Sequence, residues 1–143
     1  MKKTITLLIL FCTISTFSQS NQDLLSHYKK YYKQMQSQAD IQGVINALTH
    51  LNVLEPSQAR KDTLATLYMN EGRHVEALNT IGVEENDSDS DLAVQVKAFS
   101  FKAINDIEQA MIHYEELFKR KPNPFIAYEL AEMKIRTGDL MGA

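Results

Sequence analysis

An acidic run in the middle of the chain has the residue spacing that comes nearest to that of a metal-binding site. Asp87, Asp89 and Asp91 alternate as the carboxylates do at the start of a calcium-binding loop. The later positions do not fit, because Leu92 stands where such a loop needs glycine and Ala98 where it needs the bidentate acid. We therefore interpret the run as a solvated acidic loop.

Histidine and cysteine offer no other site. The four histidines are His27, His50, His74 and His113, and no two have the three- or four-residue spacing that would bring metal ligands together on a helix. The single cysteine, Cys12, lies in the amino-terminal apolar run. The sequence has no glycine-rich phosphate loop or nucleophile elbow. We predict no catalytic residue, no metal and no cofactor, and hence a protein that is not an enzyme.

The amino terminus has the plan of a signal peptide. Lys2 and Lys3 precede an apolar run over residues 5–17, which is shorter than the roughly 20 residues of a membrane-spanning helix. Small residues allow cleavage after Ser18 or after Ser20. We predict a signal peptide over residues 1–20 and export to the periplasm or cell envelope, or secretion, without stable membrane insertion of the mature chain.

The charge of the chain argues against a nucleic-acid partner. The formal net charge is −3, and it becomes −5 when Lys2 and Lys3 are removed. A nucleic-acid binder usually concentrates basic residues on one face. Tyr28, Tyr31 and Tyr32 alternate with lysines, which could serve base stacking. We favour the interpretation that Tyr28 and Tyr32 pack inward while the lysines face water.

The elements that would hold any site are short helical hairpins. Residues 64–81 carry apolar residues at helical spacing on both sides of Gly72. The pattern recurs at one constant spacing, with a small or apolar residue at Val44, Ala77, Ala110 and Ala143. The matching turns are Ala39-Asp40-Ile41, Gly72-Arg73-His74, Asn105-Asp106-Ile107 and Gly138-Asp139-Leu140. Such repeats are typical of stacked helix pairs.

These residues resemble the tetratricopeptide repeat (TPR) family. The second copy carries Leu64-Ala65, Tyr68, Gly72, Ala77 and Ile81 at the positions of the family pattern, and the third and fourth copies match in part. The resemblance implies an all-α helix-turn-helix solenoid over residues 21–143. Its repeats would span about residues 25–57, 58–90 and 91–123, with an incomplete repeat at 124–143.

Capping residues predict several helix boundaries. Asn123 before Pro124 should start a helix, and Asn105 followed by Glu108 resembles a capping box. In the second copy, Asp89 replaces the closing proline of the family. We therefore expect a shortened helix there, then the acidic loop, and a new helix starting at Ser90 or Asp91.

The resemblance also implies a function. First helices of successive TPR repeats line a concave groove that holds a peptide or a partner helix, so we expect a non-catalytic scaffold or adaptor whose partner is a protein. The groove positions correspond to Lys29, Lys33 and Gln36 in the first repeat, Asp62, Thr66, Met69 and Asn70 in the second, Gln95, Phe99 and Lys102 in the third, and Tyr128, Glu132 and Arg136 in the fourth.

Two other hypotheses come from the carboxyl end. Ala143 falls inside an expected helix, which suggests a fragment. The alternative function is then an amino-terminal sensing or docking segment of a longer membrane-bound signalling protein or enzyme. The third hypothesis is self-association through exposed repeat ends.

Overall fold

The chain forms helices throughout the described part. The computed structural model describes residues 2–84, 86–139 and 142, with side chains from residue 20 onward, and within these ranges it contains no strand. The helices are α1 (Lys2–Ser37), α2 (Ile41–Leu54), α3 (Gln58–Asn70), α4 (His74–Ile81), α5 (Asp91–Ala103), α6 (Ile107–Arg120) and α7 (Pro124–Thr137). The fold is all-α, as predicted.

The amino-terminal part of α1 coincides with the predicted signal peptide. The side chains of residues 1–19, including Cys12, lie outside the described residues, so the signal peptide stays a prediction. Among the residues that are described, none of the helices combines the length and the apolar composition needed to cross a membrane.

The chain divides into two compact units, Met1–Ser57 and Gln58–Ala143. In the first unit α1 packs on α2. Met35 of α1 is buried against Gly43, where a Cβ would lie 2.6 Å from Cγ of Met35. Tyr28 stacks on His50 of α2 with ring centroids 4.3 Å apart. Glycine at position 43 therefore permits the close approach of the two helices.

In the second unit neighbouring helices pack in chain order. α3 packs on α4 and α5, α4 on α5, α5 on α6, and α6 on α7. The main core cluster consists of buried residues from α4 to α7: Leu78, Val94, Ala98, Phe101, Ala110, Tyr114, Leu117, Ile126 and Met133. A smaller cluster joins Ala65, Ala77 and Val96. Apolar burial at helical spacing thus holds this unit together.

Four turns share one backbone conformation. Ala39, Gly72, Asn105 and Gly138 are equally spaced along the sequence, and their φ angles are 54°, 74°, 64° and 85°. After each of them, the next backbone N–H donates to the carbonyl five residues earlier, at 3.0, 2.8, 2.9 and 2.9 Å. This is the Schellman motif, which ends a helix with a left-handed residue. The predicted constant spacing of the turns is confirmed.

The third turn corrects the predicted cap of α6. Asn105 is the left-handed residue of the turn, and Asp106 is the N-cap, accepting from the N–H of Gln109 at 3.3 Å. Asn tolerates a positive φ better than most residues, because its short polar side chain can bond locally. The cap therefore falls one residue later than the capping-box prediction.

Other predicted boundaries are confirmed. Asn123 accepts from the N–H of Ile126 at 2.9 Å, with Pro124 in the first turn of α7. Ser90 accepts from the N–H of Ala93 at 3.0 Å and starts α5. α4 has 8 residues, whereas α2 and α6 have 14 each, so the second copy does carry the shortened helix.

Candidate interaction surface

An aromatic pair, one ring exposed and one partly buried, joins α5 to α7. The rings of Phe99 and Phe125 stack with centroids 6.1 Å apart and an interplanar angle of 12°. Phe99 also packs on the buried Tyr114, at 5.4 Å. Phe125 is 54% exposed and Tyr128 is 68% exposed. Two large aromatic side chains therefore face water beside a third that is anchored in the core.

The start of α7 fixes this arrangement. Asn123 caps the helix and Pro124 restricts φ in its first turn, so Phe125 is held on the first turn of α7. Tyr128 and Glu132 follow at positions three and seven residues later, which lie on the same helical face. We call this surface the α5–α7 face, defined by Phe99, Lys102, Phe125, Tyr128, Glu129 and Glu132.

The charges of the α5–α7 face are paired. Nζ of Lys102 binds the carboxylate of Glu129 and lies 3.4 Å from Oε2 of Glu132. Farther along α7, Arg136 donates to Oδ1 of Asn105 at 3.2 Å. The sequence predicts Lys102 as a partner contact, but two carboxylates of α7 already engage its ammonium group. The face offers aromatic surface together with one cation and two carboxylates.

Asp62 is a correction to the predicted groove. It is only 5% exposed, and its carboxylate accepts from Nε2 of Gln58 at 2.8 Å and from the hydroxyl of Ser90 at 2.6 Å. The repeat register assigns Asp62 to the partner-facing side, but the loop before α5 covers it. Its role in the structure is to hold the N-cap of α5.

The other mapped residues of the second unit differ in exposure. Thr66 donates to the carbonyl of Asp62 at 2.8 Å, so its hydroxyl serves α3 itself. Met69 is partly buried against the small core cluster, and Gln95 is also partly buried. Asn70 is exposed. Of these four residues, Asn70 is the one most available to a partner.

In the first unit, the two mapped lysines are exposed, as is Gln36. Lys29 forms an ion pair with Glu55 at 3.3 Å, and each side chain is 51% exposed. Gln36 donates to the hydroxyl of Tyr32 at 2.7 Å. Lys33 lies on the same exposed stretch of α1.

Two residues of the α5–α7 face were not predicted from the sequence. Phe125 occupies the repeat position of Leu92, which is 48% exposed, so the repeat register carries an exposed apolar position at the start of these helices. Glu129 becomes visible only through its contact with Lys102, 27 residues earlier. The exposure of Phe125 could therefore be predicted from the sequence, whereas the contact of Glu129 depends on how α7 packs beside α5.

Tyr114 lies beneath the aromatic pair. Burial raises the pKa of its phenol to about 12, and the negative charge of Glu132 contributes to this rise. Tyr114 therefore stays neutral at physiological pH and acts as a fixed apolar support for Phe99.

The acidic run that resembled a calcium loop is engaged by basic residues. Nζ of Lys97, which is 1% exposed, binds Oδ2 of Asp89 at 2.5 Å and the carbonyl of Glu84. Asp91 pairs with Lys121 at 2.9 Å and with Arg120 at 3.5 Å. These two cations, Lys121 first, lower the pKa of Asp91. Asp89 thus ties the loop to α5, and Asp91, the first residue of α5, ties this helix to the end of α6.

The four histidines lie in separate packing contacts. His27 stacks near Tyr31, His50 stacks on Tyr28, and His113 stacks on Phe101 at 5.5 Å. Nδ1 of His74 lies 3.4 Å from the hydroxyl of Ser100. In the part of the chain that the structure describes, no three His, Cys, Asp or Glu side chains converge on a point that could hold a metal ion.

Comparison with known proteins does not assign the chain to a family. The sequence matches no protein-family model and no curated protein. What can be inferred about function therefore rests on the geometry of the α5–α7 face.

Proposed function

We propose that this protein is a non-catalytic protein-interaction module, a TPR-like array of helical hairpins that binds a peptide or a partner helix on the α5–α7 face. The observation that carries the proposal is the exposed Phe125, stacked on the partly buried Phe99, with the exposed Tyr128 on the same helix. Exposed aromatic residues anchored on a packed core are typical of interaction sites, because they bury much area with few rotatable bonds.

The repeat architecture is supported by the turns. Four Schellman turns at one spacing, each between two helices or after the last described one, are what a helical hairpin repeat requires. A TPR-like array also has its first helices on one side. α3 and α5 pack together, and side chains of α5 reach α7, in agreement with this arrangement.

The chemistry of the face favours a protein partner over a nucleic acid. Lys102 is neutralised by Glu129 and Glu132, so the face has no excess of positive charge for phosphates. A partner would insert an apolar or aromatic side chain between Phe125 and Tyr128. Its polar groups would bond to the charged side chains of the same face. We further propose that the protein acts in the bacterial cell envelope after export, on the basis of its amino-terminal sequence.

Site-specific photo-crosslinking tests this function. A photoreactive phenylalanine at position 128 should crosslink one defined protein in envelope extracts, while the same group at position 75 should not, because Val75 is equally on the surface but lies on α4. The crosslink should be lost when Phe125→Ala is added. As a matched control, Val53→Ala should leave it intact, because Val53 is 75% exposed on α2. Equal crosslinking from positions 75 and 128 would contradict the proposal.

A further inference from the structure

The α5–α7 face contains one cation and two carboxylates, which leaves one negative charge in excess. Nζ of Lys102 binds the carboxylate of Glu129, whose side chain is only 12% exposed, so these two residues form an inner pair. Glu132 lies 3.4 Å from the same ammonium group, and its side chain is 42% exposed. Because the charge of Lys102 is already matched by Glu129, Glu132 adds a water-accessible negative charge to the face.

The two other cations in this half of α7 are engaged elsewhere. Nη2 of Arg136, one turn after Glu132, donates to Oδ1 of Asn105 at 3.2 Å. Nζ of Lys134 lies 3.1 Å from Oε1 of Glu115 on α6. These contacts leave the excess negative charge of the face in place.

Glu132 lies on the same side of α7 as two exposed aromatic residues. Tyr128 precedes it by four residues and Phe125 by seven, and both spacings bring side chains to one helical face. Side chains four residues apart on a helix have Cβ atoms about 5–6 Å apart. A group that lies on the exposed ring of Tyr128 can therefore also reach the carboxylate of Glu132.

Arginine is the side chain that satisfies both groups. Its guanidinium is planar and always charged, stacks on aromatic rings and donates two parallel hydrogen bonds to a carboxylate. The ammonium of lysine is more strongly hydrated and has no plane to stack, so it gains less from the ring. An acidic side chain would be repelled by Glu132.

We propose that the partner of the α5–α7 face presents an arginine whose guanidinium stacks on Tyr128 and pairs with Glu132, next to an apolar residue that packs on Phe125. This inference rests on the proposed function of the face. In it the aromatic residues supply contact area for any apolar side chain, whereas Glu132 selects the charge of the partner.

The first test selects random-sequence peptides on phage against the immobilised 143-residue chain. A parallel selection against the double variant Phe125→Ala with Tyr128→Ala identifies the peptides that depend on the face. These peptides should be enriched in arginine next to an aromatic or aliphatic residue. Selection against Glu132→Gln should lose the preference for arginine and keep that for the apolar residue. Glu108→Gln, at an exposed position of α6, makes the same charge change and should keep both.

The second test measures the affinity of one selected peptide by fluorescence anisotropy. Citrulline has nearly the shape of arginine but no charge. Replacing the arginine by citrulline should weaken binding to the unmodified chain about five- to tenfold, because both the stacking and the ion pair lose the charge. For Glu132→Gln the ratio should fall to about twofold, since the stacking on Tyr128 remains. Added salt should narrow the ratio for the unmodified chain.

The outcomes separate this inference from the proposed function. If no selected peptide depends on Phe125 and Tyr128, the proposed function is wrong, and this inference is wrong with it. If such peptides are found without enrichment of arginine, the interaction function stands and the assignment of arginine is overturned. The same holds if the citrulline ratio is equal for the unmodified chain and Glu132→Gln. Circular dichroism should show that Glu132→Gln keeps the helical content of the unmodified chain.

Discussion

The hydroxyl of Ser90 donates to Oδ2 of Asp62 at 2.6 Å and accepts from the N–H of Ala93 at 3.0 Å. One side chain thus caps α5 and satisfies a carboxylate of α3 that is 5% exposed. The start of α5 is thereby tied to a buried side chain of α3. A buried carboxylate with two donors is stabilising only while both donors remain.

Ser90→Ala should therefore destabilise the protein by about 2–3 kcal/mol, because it removes a helix cap and leaves Asp62 with one donor. Asp62→Ala should have an effect of similar size. The loss of unfolding free energy in the double variant should be smaller than the sum of the two single losses by at least about 0.5 kcal/mol. Urea denaturation can measure this difference. Thr80→Ala, whose hydroxyl bonds within its own helix, is the control. Strict additivity would show that the two residues act separately.

Lys97→Met should destabilise the protein by about 2–4 kcal/mol, because Asp89 would lose the charge that compensates it in a largely buried position. The matched control is Lys29→Met, which breaks a half-exposed pair with Glu55 and should change the free energy of unfolding by less than about 1 kcal/mol. Thermal and urea unfolding of both variants give the comparison. Similar losses of unfolding free energy in the two variants would mean that the buried pair contributes no more to stability than the exposed one.

Alkaline unfolding should depend on Tyr114. Its pKa is raised in the folded state from 10.0 to about 12, so its contribution to stability is complete below pH 10 and declines as the pH rises from 10 to about 12. The decline corresponds to roughly 2–3 kcal/mol. Tyr114→Phe should flatten the pH dependence in this range. Tyr128→Phe, at an exposed position, should retain it. An unchanged slope in Tyr114→Phe would assign the alkaline transition to another group.

Acid should loosen the start of α5. Lys121 and Arg120 hold the pKa of Asp91 below its usual value of 3.8, so the stabilising effect is present above that pH and is lost as the pH falls through the lower, folded-state pKa. Amide exchange in the first turn of α5 should therefore accelerate below about pH 4. Asp91→Asn should show fast exchange already at neutral pH, whereas Asp87→Asn should not. Equal exchange rates in the two variants at neutral pH would argue against this role of Asp91.

Export predicts the mass of the mature protein. Cleavage after Ser18 or Ser20 gives a chain that begins at Gln19 or Asn21. Intact-mass measurement of the protein from an envelope fraction should find one of these starts. Replacing Leu7 and Leu8 by Glu should block processing, because a charged h-region is not recognised. A mature protein that retains Met1 would contradict export through this segment.

The turns could be predicted because their signals are local. Gly72 and Gly138 mark left-handed positions by their residue type, and the constant repeat spacing extends the assignment to Ala39 and Asn105. The prediction of Asn105 as the cap of α6 was wrong. Both residue types suit both positions, so only the backbone geometry tells them apart.

The candidate site was predictable in part. The repeat register identified Phe99 and Tyr128, because position on a helix follows from sequence spacing. It misplaced Asp62, which Ser90 covers from 28 residues away, and it missed Glu129, whose partner Lys102 lies 27 residues earlier. Contacts at such separations depend on how helices pack, and no local pattern encodes them.

The Schellman turns have a consequence for the order of folding. Each is closed by hydrogen bonds between residues at most five apart, so closing it restricts a very short stretch of chain. A polar contact between helices, such as the one from Ser90 to Asp62 across 28 residues, can form only after the helices exist. Contacts of low sequence separation favour rapid folding. Three of these turns, at Ala39, Gly72 and Asn105, each connect two helices, so the chain has three separate places at which a hairpin can nucleate.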